Sequence, residues 1–113
     1  MTEPFATAVN IQENVAVVAL HGEINSAAEA ALNAAYAQAE ALNPNSILLD
    51  FQAVDYINST GIALIVGLLA QARKTHRRLV VCGLSEHYQE IFRITRLADF
   101  MQMYADVPSA LAG

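Results

Sequence analysis

Between Ile47 and Lys74 the chain joins a short apolar run, Ile47-Leu-Leu-Asp-Phe51, to a helix-length segment, Gly61–Lys74, that is apolar nearly all round until Gln71. A run of that length suits a buried strand, and a helix without a polar face must be covered on most sides. The pair therefore demands a helix laid deeply against a sheet. The connection between them holds Asp55 and three consecutive short polar residues, Asn58-Ser59-Thr60. Although Gly61–Ala72 carries no charge, it stops far short of the roughly 20 residues that a membrane span needs.

The rest of the chain supplies that sheet. Phe5–Ile11 alternates, with Phe5, Thr7, Val9 and Ile11 on one face, and reads as a strand. Glu13-Asn14 is a tight turn leading into Val15–Leu20, a second, buried strand. Ser26-Ala-Ala-Glu29 has the spacing of a capping box, and the helix it predicts carries Ala28, Leu32, Ala35, Ala39 and Leu42 on one side until Pro44 ends it. After Gly61–Lys74, Leu79–Cys82 is another short apolar strand, and Ser85 caps a helix with Tyr88, Ile91, Phe92 and Thr95 at helical spacing. Phe100–Tyr104 reads as an edge strand, and Asp106-Val-Pro108 opens a last short helix. A hairpin feeding βα crossovers gives an α/β fold with a largely parallel sheet of four to five strands and about four helices packed on it.

At 113 residues the expected organisation is one domain, residues 1–113. With 55% hydrophobic and 15% charged residues the chain is not disordered, and one cysteine excludes both a disulfide framework and a four-cysteine zinc site. Residues 1–20 lack a basic start and a cleavage motif, so the expected compartment is the cytoplasm. Net charge is −5, yet all six basic residues lie beyond residue 60. The cluster Arg73–Arg78 lacks interleaved aromatics and sits where a helix ends, which favours a role at that helix end over contact with nucleic acid.

Catalytic signatures are missing: there is no dinucleotide or P-loop glycine pattern, no H-E-x-x-H and no G-x-S-x-G. His21, His76 and His87 are not at metal-ligand spacing, and Cys82, in an apolar strand, reads as a small buried hydrophobe. A non-enzymatic protein without metal or cofactor is expected. The informative segment is Asn58-Ser59-Thr60-Gly61. Thr60 or Ser59 is suited to cap the helix, and Gly61 to relieve crowding against the sheet. A hydroxyl there also stands where free amides and the positive dipole end favour a phosphate.

Leu48-Leu-Asp50-Phe-Gln-Ala-Val-Asp55-Tyr-Ile-Asn-Ser-Thr-Gly61-Ile-Ala-Leu resembles the signature of STAS domains, specifically of anti-sigma factor antagonists. Leu20-His-Gly-Glu23-Ile-Asn25 is similar to that family's L-x-G-E-[LI]-D turn. Leu79–Ser85 resembles its fourth strand, and Phe92–Leu97 through Ala110-Leu111 its C-terminal helix-strand-helix. The resemblance implies the STAS fold and a partner-switching regulator. It further implies an anti-sigma factor partner that is also an ATP-dependent serine/threonine kinase, and a phosphatase that resets the switch. The phosphoacceptor position falls on Thr60, with Ser59 as its neighbour. Ile24, Asn25, Asn58, Ser59, Thr60 and Gly61 would form the partner-binding surface. Asn58 and Asn25 stand where the family carries Asp, which removes two negative charges and any capacity to bind a metal there. The threonine acceptor is also similar to STAS accessory subunits of ABC-type transporters, the alternative reading.

Overall fold

In the computed structural model, which describes residues 4–113, the apolar alternation along the central strands sorts side chains to two sheet faces. The strands are β1 (Ala6–Gln12), β2 (Val15–Ile24), β3 (Ser46–Ile57), β4 (Arg78–Cys82) and β5 (Met103–Tyr104). They lie side by side in chain order, with β1 antiparallel to β2 and every later pair parallel. The expected hairpin and largely parallel sheet are both present.

One face carries Ala16, Val18 and Leu20 of β2, Ile47, Leu49 and Phe51 of β3, and Leu79 and Val81 of β4. Three helices cover it: α1 (Glu29–Ala41), α2 (Ser59–Lys74) and α3 (Glu86–Ile94). Their contributions to this core include Leu32, Ala35, Tyr36 and Ala39, then Ile65, Leu68, Leu69 and Ala72, and Phe92. Phe92 meets Phe51 edge to face with ring centroids 6.1 Å apart. On the other face Val17, Leu48, Val80 and Cys82 are covered by Val107 and Ala110 of the short helix α4 (Val107–Ala112). The marching strand order explains this asymmetry, because successive crossovers of one hand place their helices on one side.

Several boundaries differ from the sequence reading, four of them near the functional segment or by more than one residue. Strand β2 continues past Leu20 to Ile24, and β3 past Phe51 to Ile57, taking in most of the expected connection. Relative to β2, β3 carries two extra residues: Ala19 faces Asp50 but His21 faces Ala53, and Gly22 faces Val54 but Glu23 faces Tyr56. Such bulges bend a strand and break its alternation, so the segment does not look like a strand when read as a pattern. Helix α2 starts at Ser59 rather than Gly61, and the expected strand at Phe100–Tyr104 shrinks to Met103–Tyr104. Pro44 acts as anticipated: α1 ends at Ala41 and Asn43 takes a left-handed φ of 54°.

Candidate functional site

Parallel pairing brings the ends of β2 and β3 together, with Ile24 beside Ile57. Each strand then runs through an asparagine into a helix. The Asn58 N–H donates to the Ile24 carbonyl at 3.2 Å, which ties the two exits to each other. Asn58 Oδ1 accepts from the Gly61 N–H at 2.8 Å, and Asn25 Oδ1 accepts from the Ala27 N–H at 2.9 Å. Both asparagines have extended backbone and are N-caps, of α2 and of the 3₁₀ turn Ser26–Ala28 that precedes α1.

Two expectations are corrected here. Neither Thr60 nor Ser59 caps α2; Asn58 does, because its short side-chain carbonyl reaches an amide three residues on. The Ser26–Glu29 capping box does not form either, since Asn25 takes that role one residue earlier and Ala28 precedes α1 without a side-chain cap. Released from capping, Ser59 and Thr60 are both exposed. Around the helix they open on different lines. Ser59 stands above Ile62, Val66 and Arg73, and Thr60 above Leu64, Gly67 and Gln71.

Gly61 is buried between them and the sheet. A Cβ there would run into the Ile24 carbonyl oxygen and come within 2.8 Å of Ile57 Cγ2. The helix start thus rests directly on the backbone of β2. Ile24, expected on the docking surface, is 0% exposed and lies under it, so that only its backbone takes part in the turn. Asn25 and Asn58 are half-buried. No acidic residue occupies the first turn of α2, and residues 1–60 hold no lysine or arginine, so within that turn the free helix amides supply the positive end.

Tyr88 of α3 belongs to this site, although the sequence reading placed it only in helical packing. Its hydroxyl accepts from the Ile57 N–H at 2.8 Å and lies 3.4 Å from the Ile57 carbonyl oxygen, to which it donates. The bulged end of β3 needs such a partner, because the ladder with β4 stops at Asp50 and Cys82. No local signal in the sequence announces it, since residues 57 and 88 are joined only by the fold.

His21, His76 and His87 are exposed, and among the described residues no group of three His, Cys, Asp or Glu could hold a metal ion. Cys82 is fully buried, and burial, with the neighbouring Asp50 carboxylate, pushes its thiol up to about 12. In the basic cluster, Arg77 pairs with Glu40 at 3.6 Å and donates to the Pro44 carbonyl and to Asn43 Oδ1, tying the end of α1 to the start of β4. Arg73 lies over the Phe100 ring, 5.0 Å from its centroid. No helix among the described residues is long and apolar enough to cross a membrane.

Residues 6–110 match the STAS domain model, and the chain belongs to the STAS domain family. BtrV of Bordetella bronchiseptica, named as an anti-sigma factor antagonist, is 30% identical over 83 residues, which is 74% of this chain and 72% of that protein. Among solved structures, an anti-sigma factor antagonist from Mycobacterium paratuberculosis superposes with a TM-score of 0.83 at 23% identity, covering 96% of this chain and 92% of that one. The Bacillus cell fate determinant SpoIIAA in its phosphorylated form superposes with a TM-score of 0.73 at 20% identity, covering 95% and 97%. The fold is that of a STAS domain.

Proposed function

We propose that the protein is an anti-sigma factor antagonist, a partner-switching regulator without catalytic turnover, controlled by phosphorylation at Thr60. The observation that carries this reading is the first turn of α2: Asn58 satisfies the cap and the Ser59 and Thr60 hydroxyls are exposed, in the turn where the family resemblance puts the acceptor. A kinase needs a hydroxyl that it can reach without unwinding the helix. Thr60 meets that condition because the turn beneath it is held by Asn58, Gly61 and Ile24 rather than by Thr60 itself. The partner is an anti-sigma factor of the serine/threonine-kinase type, and a phosphatase reverses the modification. Asn25, Asn58, Ser59 and Thr60 form the contact turn, and Gly61, expected on that surface, is buried beneath it and sets the helix start.

The physical consequence of modification follows from charge. A phosphate brings about −1.5 to −2 charges, which a helix N-terminus favours by roughly 0.3–1 kcal/mol. The fold therefore accepts it. A partner packed over the same turn must instead bury that charge with no arginine or lysine from residues 1–60 to pair with it, at a cost of several kcal/mol. Since about 1.4 kcal/mol is a tenfold change, affinity should fall at least about a hundredfold.

The experiment pairs the purified protein with the kinase-type anti-sigma factors of its own genome, with ATP, and maps the phosphopeptide. Phosphate on Thr60, absent from Thr60→Ala, and calorimetric affinity lost on phosphorylation with a melting temperature that holds or rises slightly are the expected results. Full phosphorylation of Thr60→Ala overturns the assignment of the acceptor. Binding that is indifferent to phosphate overturns the switch.

A further inference from the structure

Helix α2 leaves part of its apolar surface uncovered on the line that runs down from Ser59. Val66 is 45% exposed, and Phe100, reaching up from the segment after α3, is 56% exposed. With Leu69, Ala70 and Arg73 they enclose a shallow apolar depression of about 250 Å³. Ser59, Ile62, Val66, Leu69 and Arg73 are spaced three and four residues apart, the seam that one helix presents to another. At the far end the Arg73 guanidinium lies against Phe100, and no carboxylate among the described residues takes it. Leu69 is the buried floor of this depression and Ile62 is half-buried, while Val66, Ala70 and Phe100 are exposed around it. Exposed apolar side chains beside an aromatic and an arginine have the composition of an interface centre.

We propose that this stripe is the second half of the docking surface, continuous with the Ser59–Thr60 turn. Its occupant is an amphipathic helix of the anti-sigma factor, with apolar residues at three- and four-residue spacing and a carboxylate over Arg73. The proposal rests on the partner-switching reading above. Charge selects this occupant over a second copy of the chain. Two copies packed antiparallel along α2 would set each Arg73 against the positive end of the other helix, and packed parallel would set Arg73 against Arg73. A carboxylate from a different protein meets neither penalty. The two ends of the surface then divide the labour: the N-terminal turn senses phosphate, and the apolar stripe holds affinity that phosphate does not touch.

Isothermal titration of Val66→Asp, Phe100→Ser and Arg73→Glu against the anti-sigma factor that binds the unmodified protein tests it. Each should weaken binding about tenfold or more, and the Arg73→Glu loss should be larger at low salt. Replacing the facing partner carboxylate with lysine should restore Arg73→Glu. Gln71→Ala, on the other exposed line of α2, should leave affinity unchanged. Melting curves identify any variant that fails to fold, and Arg73→Glu, an exposed polar exchange, decides the matter if Val66→Asp does. An anti-sigma factor that still responds to phosphate at Thr60 but binds all three variants like wild type overturns the stripe and leaves the switch standing. No binding by any anti-sigma factor overturns the reading beneath it, and this one with it. A self-associated free protein that Val66→Asp separates into monomers replaces the partner helix with a second copy and overturns the proposal.

Discussion

The first and third turns of α2 each hold a glycine, and the two glycines answer to different physics. Gly61 sits where the helix meets the β2 backbone, and an added methyl there would collide with the Ile24 carbonyl oxygen. Six residues on, Gly67 faces the open groove between α1 and α2, where a Cβ would meet nothing within 4 Å. One glycine is a condition of the fold; the other costs helix propensity with no packing return. The sequence points to Gly61 as the close-packed one by its place at the strand-to-helix junction, and the structure bears that out. What separates them is whether a neighbouring strand passes underneath.

The largest expected effect attacks the first of these. Gly61→Ala must push the start of α2 off β2, which also breaks the Asn58–Ile24 hydrogen bond, and should destabilise by about 3 kcal/mol in chemical denaturation. A loss under about 1 kcal/mol would mean that the turn can slide, and the contrast between the two glycines would collapse. Next in size, Asn58→Ala removes the cap and frees the Gly61 amide, costing about 1 kcal/mol. Thr60→Ala, which caps nothing, should by comparison leave the denaturation midpoint unmoved, so the two variants together separate structural from regulatory roles. The smallest effect has the opposite sign. Gly67→Ala should stabilise by slightly under about 1 kcal/mol, a few degrees in melting temperature, since the native conformation is already helical and the space is free. A destabilised Gly67→Ala protein would show that the groove beside Tyr36 closes in solution.

Much of the architecture was legible in local pattern. The alternation of Phe5–Ile11, the apolar runs at Val15, Ile47 and Leu79, and the helix signals at Ser85 and Asp106 all mark elements that are present. Ser85 Oγ accepts from the Tyr88 N–H, and Asp106 Oδ1 from the Ser109 N–H. Both caps were readable because capping is a contact over three residues. The same logic failed at the site itself. Thr60, Ser59 and Asn58 are three adjacent short polar residues, each chemically able to cap, and only the point where β3 stops chooses among them. The bulges that carry β3 on to Ile57 are invisible in periodicity because they break it.

The sequence by itself determined the order of elements and the packing of one side of α2 on the sheet, because hydrophobic period, turn residues and caps act over a few neighbours. The expected deep burial of that helix is not met, since Ala63, Val66, Gly67 and Ala70 are exposed. Tertiary structure alone decided that Asn58 is the cap, that Ile24 lies beneath the surface instead of on it, and that Tyr88 holds the end of β3. It also decided that Ser59 and Thr60 open on different lines of the same helix, one toward Phe100 and the other toward α1. Each of these depends on where two strands end in parallel register and on what the helix then rests against. Such distances are set by packing between residues tens of positions apart, and no local pattern of residue types records them.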